Sequence, residues 1–215
     1  MKQILLILAL FIYSMVLSAQ SEFSQYLFDE FQETLILYKD GRQFTAPVNF
    51  DLKAGCFLFI DAKDKRPKQF AYPEQVALLR IGKRSFLFGK DEAVEVIQAN
   101  PEFKVHYSGK LRKAPKKTSY GSTTQTAAVD SYSSLSGSGL ISGVQINDRV
   151  VTGIDKTYEV KVGKRTKTFY HMNSFLKIVP KEKREAIREY INKMNVDFDS
   201  IQQVLDLYLY TLKGQ

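Results

Sequence analysis

The chain has 215 residues, a formal net charge of +8 and 44% hydrophobic residues, with 12 tyrosines, 15 phenylalanines and no tryptophan. A chain of this size can build a sizeable core, because such a domain buries about 70% of its unfolded surface. The single cysteine, Cys56, excludes an internal disulfide, and its apolar neighbours predict a buried small side chain rather than a catalytic thiol. The lack of tryptophan excludes a tryptophan-lined sugar platform, although tyrosine can serve that purpose.

Residues 1–19 predict a secretory signal peptide. Lys2 gives a positive start, Ile4 to Val16 form an apolar run, and Leu17 to Ala19 provide a small-residue cleavage site. The run has about thirteen residues, whereas a spanning helix needs roughly 20, so we expect no transmembrane span in the mature chain. Gln20 stands where a lipoprotein has cysteine, which predicts a non-lipidated protein in the periplasm, at the outer-membrane periphery or outside the cell.

Residues 20–109 predict a β-rich module. Several short apolar or alternating runs are separated by turn signals, among them Asp40-Gly41, a strong hairpin signal. Such spacing is typical of an antiparallel sheet that forms a sandwich or an open barrel. The expected strands are Glu33–Tyr38, Gln43–Phe50, Cys56–Ile60, Val76–Ile81, Arg84–Phe88, Ala93–Ile97 and Phe103–Tyr107.

Residues 110–143 differ in composition, being first basic and then rich in Ser, Thr and Gly. Such a segment buries little apolar surface, so we expect a flexible linker or a long excursion. Clustered cations attract polyanions, with about 1 kcal/mol per charge at an anionic membrane surface. The candidate binding residues are Lys110, Arg112, Lys113, Lys116, Lys117 and Tyr120.

Residues 144–215 predict a small α+β module. Tyr158–Val162 and Arg165–Tyr170 read as a hairpin, and Lys181–Met194 carries apolar residues at helical spacing. A last helix, capped by Asp199 or Ser200, runs to about Leu212. The predicted fold class is therefore α+β: an N-terminal antiparallel sheet module, a Ser/Gly-rich linker, and a C-terminal β-hairpin with a helical hairpin.

Catalytic and cofactor motifs are weak in this sequence. Ser174-Phe175-Leu176-Lys177 matches the Ser-x-x-Lys of serine acylases but lacks the companion elements of those enzymes. The glycines of residues 137–143 do not have the spacing of a dinucleotide loop. One cysteine and two distant histidines give no spacing of metal ligands. We therefore assign no catalytic residue, no metal and no cofactor.

Several segments of the chain resemble uncharacterised secreted proteins of the Bacteroidota. The resemblance covers most of the mature chain and implies an envelope location, but it implies no activity and no catalytic residues. The segments that carry it are Ala19-Gln20, Tyr38–Arg42, Asn49–Asp51, Phe57–Asp61, Tyr72–Glu74, Ile81–Phe86, Tyr120–Ser134, Ser174–Pro180 and Val196–Phe198.

Together, these features predict a secreted, non-enzymatic protein of the cell envelope that binds or scaffolds. Export directs the positive charge away from nucleic acid and toward anionic envelope components: lipid head groups, lipopolysaccharide or peptidoglycan. Another envelope protein is also a possible partner. Two alternatives stay open at this point, an envelope hydrolase with an unrecognised site and a carrier of small apolar ligands.

Overall fold

The structure, a computed structural model, describes residues 23–113, 116–117, 123–124 and 149–213. The predicted signal peptide and most of the predicted flexible segment lie outside the described residues. The described helices are α1 (Met172–Ile178), α2 (Arg184–Met194) and α3 (Ile201–Lys213). The described strands are β1 (Gln32–Tyr38), β2 (Gln43–Asp51), β3 (Cys56–Ile60), β4 (Pro67–Gln69), β5 (Val76–Ile81), β6 (Arg84–Phe88), β7 (Ala93–Gln98), β8 (Phe103–Lys113), β9 (Lys116–Lys117), β10 (Thr123–Thr124), β11 (Arg149–Val162) and β12 (Arg165–Phe169).

Ten of these strands form one antiparallel sheet in the order β12-β11-β8-β7-β6-β5-β1-β2-β3-β4. Most neighbours are consecutive in the chain and meet through short hairpins, because local pairing needs little loop closure. Two pairings are non-local: β5 returns to β1, and β11 returns to β8. The predicted α+β class, with sheet as the larger part, is confirmed.

The sheet curls so that β3, near one end, approaches β6 in its middle. Phe57 on β3 has its ring centroid 6.1 Å from that of Phe86 and 5.0 Å from that of Phe88, both on β6. In a flat sheet these strands would lie about 19 Å apart, four spacings of about 4.8 Å. The concave face is therefore closed on itself, and aromatic rings fill it.

The helices cover the same concave face at the other end of the sheet. The ring of Phe175 on α1 lies 4.9 Å from that of Phe169 on β12, and Tyr208 on α3 lies 5.8 Å from Phe103 on β8. The Tyr158 hydroxyl donates to the Phe198 carbonyl oxygen at 2.6 Å, which ties β11 to the turn before α3. One continuous cluster of buried residues results. No helix of the described ranges is both long and apolar enough to span a membrane.

Strands β8 and β11 join the regions that the sequence divides into two modules. They pair along their length, from Phe103 opposite Val160 to Lys113 opposite Arg149. Both strands are longer than the sequence predicts, since β8 continues beyond Tyr107 and β11 begins before Tyr158. The extra residues are mostly polar or glycine, and their four apolar side chains do not alternate regularly, so cross-strand backbone hydrogen bonds rather than an apolar pattern hold them in strand conformation.

Candidate functional site

The ends of β8 and β11 form a two-stranded ribbon that extends past the neighbouring strands. Strand β7 pairs with β8 only as far as Tyr107, and β12 pairs with β11 only from Tyr158 onward. Within the described residues, Ser108–Lys113 and Arg149–Asp155 therefore pair with each other and with no third strand. We name these two segments the basic ribbon.

The basic ribbon concentrates positive charge. Lys110, Arg112 and Lys113 are exposed, and Arg149 lies opposite Lys113 in the register. Asp155 is the ribbon's single acidic residue, so its formal charge is 4 − 1 = +3. Opposite residues of an antiparallel pair have Cβ atoms about 5 Å apart, and like charges there repel.

Both faces of the basic ribbon carry cations, because successive side chains of a strand point to opposite faces. Lys110 and Arg112 lie on one face of the ribbon. Lys113 lies on the other face, which continues the concave side of the sheet. Two apolar side chains stand among them, since Val150 is 41% and Ile154 36% exposed. The ribbon thus presents cations and exposed aliphatic groups together.

The remaining predicted binding residues are only partly described. Lys116 and Lys117 form β9 and pair with Thr124 and Thr123 of β10, so their backbone belongs to a short hairpin. Tyr120 lies outside the described residues. The structure therefore brings three predicted residues, Lys110, Arg112 and Lys113, together on one ribbon. It adds Arg149, which the sequence analysis missed because its partner Lys113 lies far earlier in the chain and nothing local indicates the pairing of β8 with β11.

A polar network holds the outer face of the sheet beside the ribbon. His106 on β8 contacts Glu92 through Nδ1 at 2.7 Å and Glu159 on β11 through Nε2 at 3.2 Å. Lys104 bridges Glu102 and Glu159. Burial opposes protonation of His106, but the two carboxylates outweigh it and raise the pKa of the imidazole. The network therefore fastens β8 to β11 and to Glu92, the residue before β7.

A second network lies on the concave face. Arg84 pairs bidentately with Glu95, with Nε 2.7 Å from Oε1 and Nη2 2.9 Å from Oε2. The Tyr107 hydroxyl donates to Glu95 at 2.6 Å, and the guanidinium lies 4.9 Å from the Phe86 ring centroid. Burial and the bond to Glu95 raise the pKa of Tyr107 above its usual value. The charges of Arg84 and Glu95 are each paired, so we interpret this cluster as a structural ion pair.

The Ser-x-x-Lys match has a structural explanation. Ser174 is the third residue of α1 and forms a capping box with His171, in which its hydroxyl accepts the His171 backbone N–H at 3.0 Å. The same hydroxyl donates to the His171 carbonyl oxygen at 2.8 Å, while Lys177 is exposed. Because Ser174 is occupied in capping, the motif gives no support to the hydrolase alternative.

Cys56, the single cysteine of the chain, is also held in an unreactive, protonated form. Burial and the carboxylates of Asp51 and Asp91 raise the pKa of the Cys56 thiol to about 11, which keeps it protonated. Among the described residues, no three His, Cys, Asp or Glu side chains are grouped to hold a metal ion. The aromatic rings that fill the concave face occupy the space in which an apolar-ligand carrier would hold its ligand.

A cleft of about 600 Å³ opens at the rim of the concave face, and sequence analysis did not find it. We name it the aromatic cleft. Its lining residues come from the β1–β2 hairpin and from the connection between β4 and β5; they are Tyr38, Arg42, Gln43, Phe44, Ala71, Tyr72 and Gln75. The Lys39 backbone N–H donates to the Gln75 carbonyl oxygen at 2.8 Å and fixes the two walls together.

Local sequence explains each wall of the aromatic cleft. Gly41 has φ +89°, which lets the hairpin turn tightly and places Arg42 opposite Tyr38. The Arg42 guanidinium then lies 5.3 Å from the Tyr38 ring centroid, and the Phe44 ring stacks on Tyr38 at 5.7 Å. On the other wall, Pro73 begins a short 3₁₀ turn that leaves Tyr72 exposed. No local signal joins the two walls, because β1 and β5 pair non-locally.

Comparison with known proteins adds no family: no protein-family model, no curated protein and no solved structure matches the chain. The functional argument therefore depends on the basic ribbon and the aromatic cleft themselves.

Proposed function

We propose that this is an exported protein of the cell envelope that binds anionic envelope components through the basic ribbon and acts as a binding or scaffolding module. The residues that support export are the charged start, apolar run and small-residue site of residues 1–19. The observation that carries the binding function is the cluster of cations on a ribbon with no third strand among the described residues.

The charge of the ribbon is sufficient for reversible attachment. Each Lys or Arg near an anionic membrane surface contributes about 1 kcal/mol, so Lys110, Arg112 and Lys113 together supply about 3 kcal/mol. That sum corresponds to about a hundredfold in the partition coefficient. Exposed charges are screened within about 10 Å at 0.1 M salt, so attachment by this ribbon weakens as salt rises.

The anionic component that fits the ribbon best is a phospholipid surface. Val150 and Ile154 are exposed beside the cations, and aliphatic side chains gain free energy when they enter the boundary between head groups and acyl chains. A peptidoglycan network offers carboxylates but no apolar layer for these two residues. We therefore assign lipid phosphate as the principal ligand and peptidoglycan as the competing one.

The test is co-sedimentation of the exported, processed protein with vesicles. The protein is recovered from exporting cells, where its mass shows whether it begins at Gln20. It is then mixed with phosphatidylcholine vesicles that contain 30% phosphatidylglycerol, with pure phosphatidylcholine vesicles, and with peptidoglycan sacculi. We expect binding to the anionic vesicles alone, and loss of that binding in 0.5 M salt.

The variant Lys110→Gln/Arg112→Gln/Lys113→Gln should bind these vesicles about a hundredfold more weakly. Its matched control, Lys164→Gln/Arg165→Gln/Lys167→Gln, removes the same charge from exposed positions of the β11–β12 hairpin and should bind nearly as well as the unchanged protein. Equal loss in both variants would mean that net charge, not the ribbon, governs binding. Binding to sacculi in preference to vesicles would replace the lipid assignment with peptidoglycan.

A further inference from the structure

We propose that the aromatic cleft is a second binding site, independent of the basic ribbon, and that its ligand is an oligosaccharide whose sugar units carry carboxylates. The cleft's volume of about 600 Å³ lies within the range of ligand sites in proteins. Its lining combines aromatic rings, uncharged polar groups and one cation, and each of these matches a part of an acidic sugar.

The aromatic rings match the apolar face of a sugar ring. Tyr72 is 63% and Phe44 is 42% exposed, although both side chains are large enough to favour burial. They stand on opposite walls of the cleft, and Phe44 is held in place by its stack on Tyr38. A pyranose presents C–H groups on its face, which pack against such rings while its hydroxyls remain at the rim.

The polar groups of the cleft match sugar hydroxyls. Within the described part of the chain, the side-chain hydroxyls of Tyr38 and Tyr72 and the side-chain amides of Gln43 and Gln75 form no hydrogen bond with the protein. Phenol and amide groups both donate and accept, as do the hydroxyls of a sugar. A ligand that is only apolar would leave these groups without partners, which favours a polar ligand with a stacking face.

The charge of the cleft selects an acidic sugar. Among the described residues that line it, Arg42 is the only charged one and none is a carboxylate. The Arg42 Nε pairs with Asp40 at 2.7 Å, which leaves the two terminal nitrogens of the guanidinium for another acceptor. Because a guanidinium presents a planar fork of donors, it binds a carboxylate in two parallel hydrogen bonds. The Tyr38 ring beneath Arg42 holds that fork in position.

The experiment is ligand-observed saturation-transfer NMR on the full exported protein with three probes. The probes are trigalacturonate, its methyl ester, and tri-glutamate, which carries carboxylates but no sugar ring. We expect trigalacturonate to bind with a Kd on the order of 1 mM, its ester to bind several-fold more weakly, and tri-glutamate to give no signal. The sugar C–H protons should receive the largest saturation.

Variants separate the contributions of stacking and charge. Tyr72→Ala should weaken the binding of trigalacturonate about tenfold. The control Tyr170→Ala removes a tyrosine outside the cleft that is 60% exposed, and it should leave this binding unchanged. Arg42→Gln should lower the affinity for trigalacturonate to that for its methyl ester and leave the affinity for the ester unchanged. Both cleft positions are exposed, and unchanged thermal midpoints will show that the variants fold. Equal binding of tri-glutamate, or equal loss in Tyr72→Ala and Tyr170→Ala, would overturn the proposal.

Discussion

Gly109 sits where the basic ribbon leaves the sheet, and its replacement by alanine tests how the ribbon is positioned. A Cβ atom on Gly109 would lie 2.2 Å from the Leu52 carbonyl oxygen and 2.9 Å from the Leu52 carbonyl carbon. Ordinary contact begins near 3.4 Å, so the two backbones would have to separate by about 3.4 − 2.2 = 1.2 Å. Both atoms belong to backbone, and neither can turn aside as a flexible side chain can.

Overpacking of a buried contact costs about 1–3 kcal/mol, and a backbone clash belongs at the upper end of that range. We therefore expect Gly109→Ala to lower the free energy of unfolding by about 3 kcal/mol. For a chain of this size, the thermal midpoint should fall by about 6–12 °C. The assay is urea unfolding followed by far-ultraviolet circular dichroism, with the slope of free energy against urea unchanged.

Gly153 provides the matched control, because it lies in the same ribbon and pairs with Lys110. Its added Cβ would meet the Lys110 side chain at 3.8 Å, an ordinary contact. Gly153→Ala should therefore change the free energy of unfolding by less than about 0.5 kcal/mol. If the two variants were equally stable, the close approach of Leu52 to β8, and with it the curl of the sheet described above, would be refuted.

Two further predictions concern titratable groups. The pKa of His106 is raised in the folded protein, so its stabilising effect is fully present below its unfolded pKa of about 6.5 and is lost as pH rises through the higher folded value. In urea unfolding, the difference in free energy of unfolding between the unchanged protein and His106→Asn should therefore shrink between pH 5.5 and pH 8.5. A constant difference would argue against the carboxylate contacts. The pKa of the Cys56 thiol is about 11, so iodoacetamide at pH 8 should modify it at least about tenfold more slowly than it modifies free cysteine. The rate is measured by intact mass. Equal rates would mean that the thiol is not buried as described.

The hairpins of this fold could be predicted from the sequence because their signals are local. Apolar residues in strand-length runs and a turn glycine with positive φ mark several of them, as at Gly41 and Gly163, whose φ angles are +89° and +61°. Predicted and observed strands agree well for β1, β3 and β6. The pairings of β1 with β5 and of β8 with β11 had no such signal, because residues far apart in the chain meet only after the sheet has formed.

The two candidate sites also differ in how far local sequence signals predict them. Three of the four cations of the basic ribbon lie close together in sequence and could be found from composition, whereas Arg149 could not. The strand conformation of the three could not be found either, since Ser108 to Lys110 have no apolar alternation. The aromatic cleft could not be found at all, because Tyr38 and Tyr72 belong to separate strand connections. The non-local pairing of β1 with β5 brings them to one rim.

The measurement that tests the central claim most directly is the ratio of two vesicle partition coefficients. One belongs to the control variant Lys164→Gln/Arg165→Gln/Lys167→Gln and the other to the ribbon variant Lys110→Gln/Arg112→Gln/Lys113→Gln, on vesicles with 30% phosphatidylglycerol at 0.1 M salt. Attachment through the basic ribbon predicts a ratio of about one hundred that falls toward one in 0.5 M salt. A ratio near one at low salt would contradict the claim.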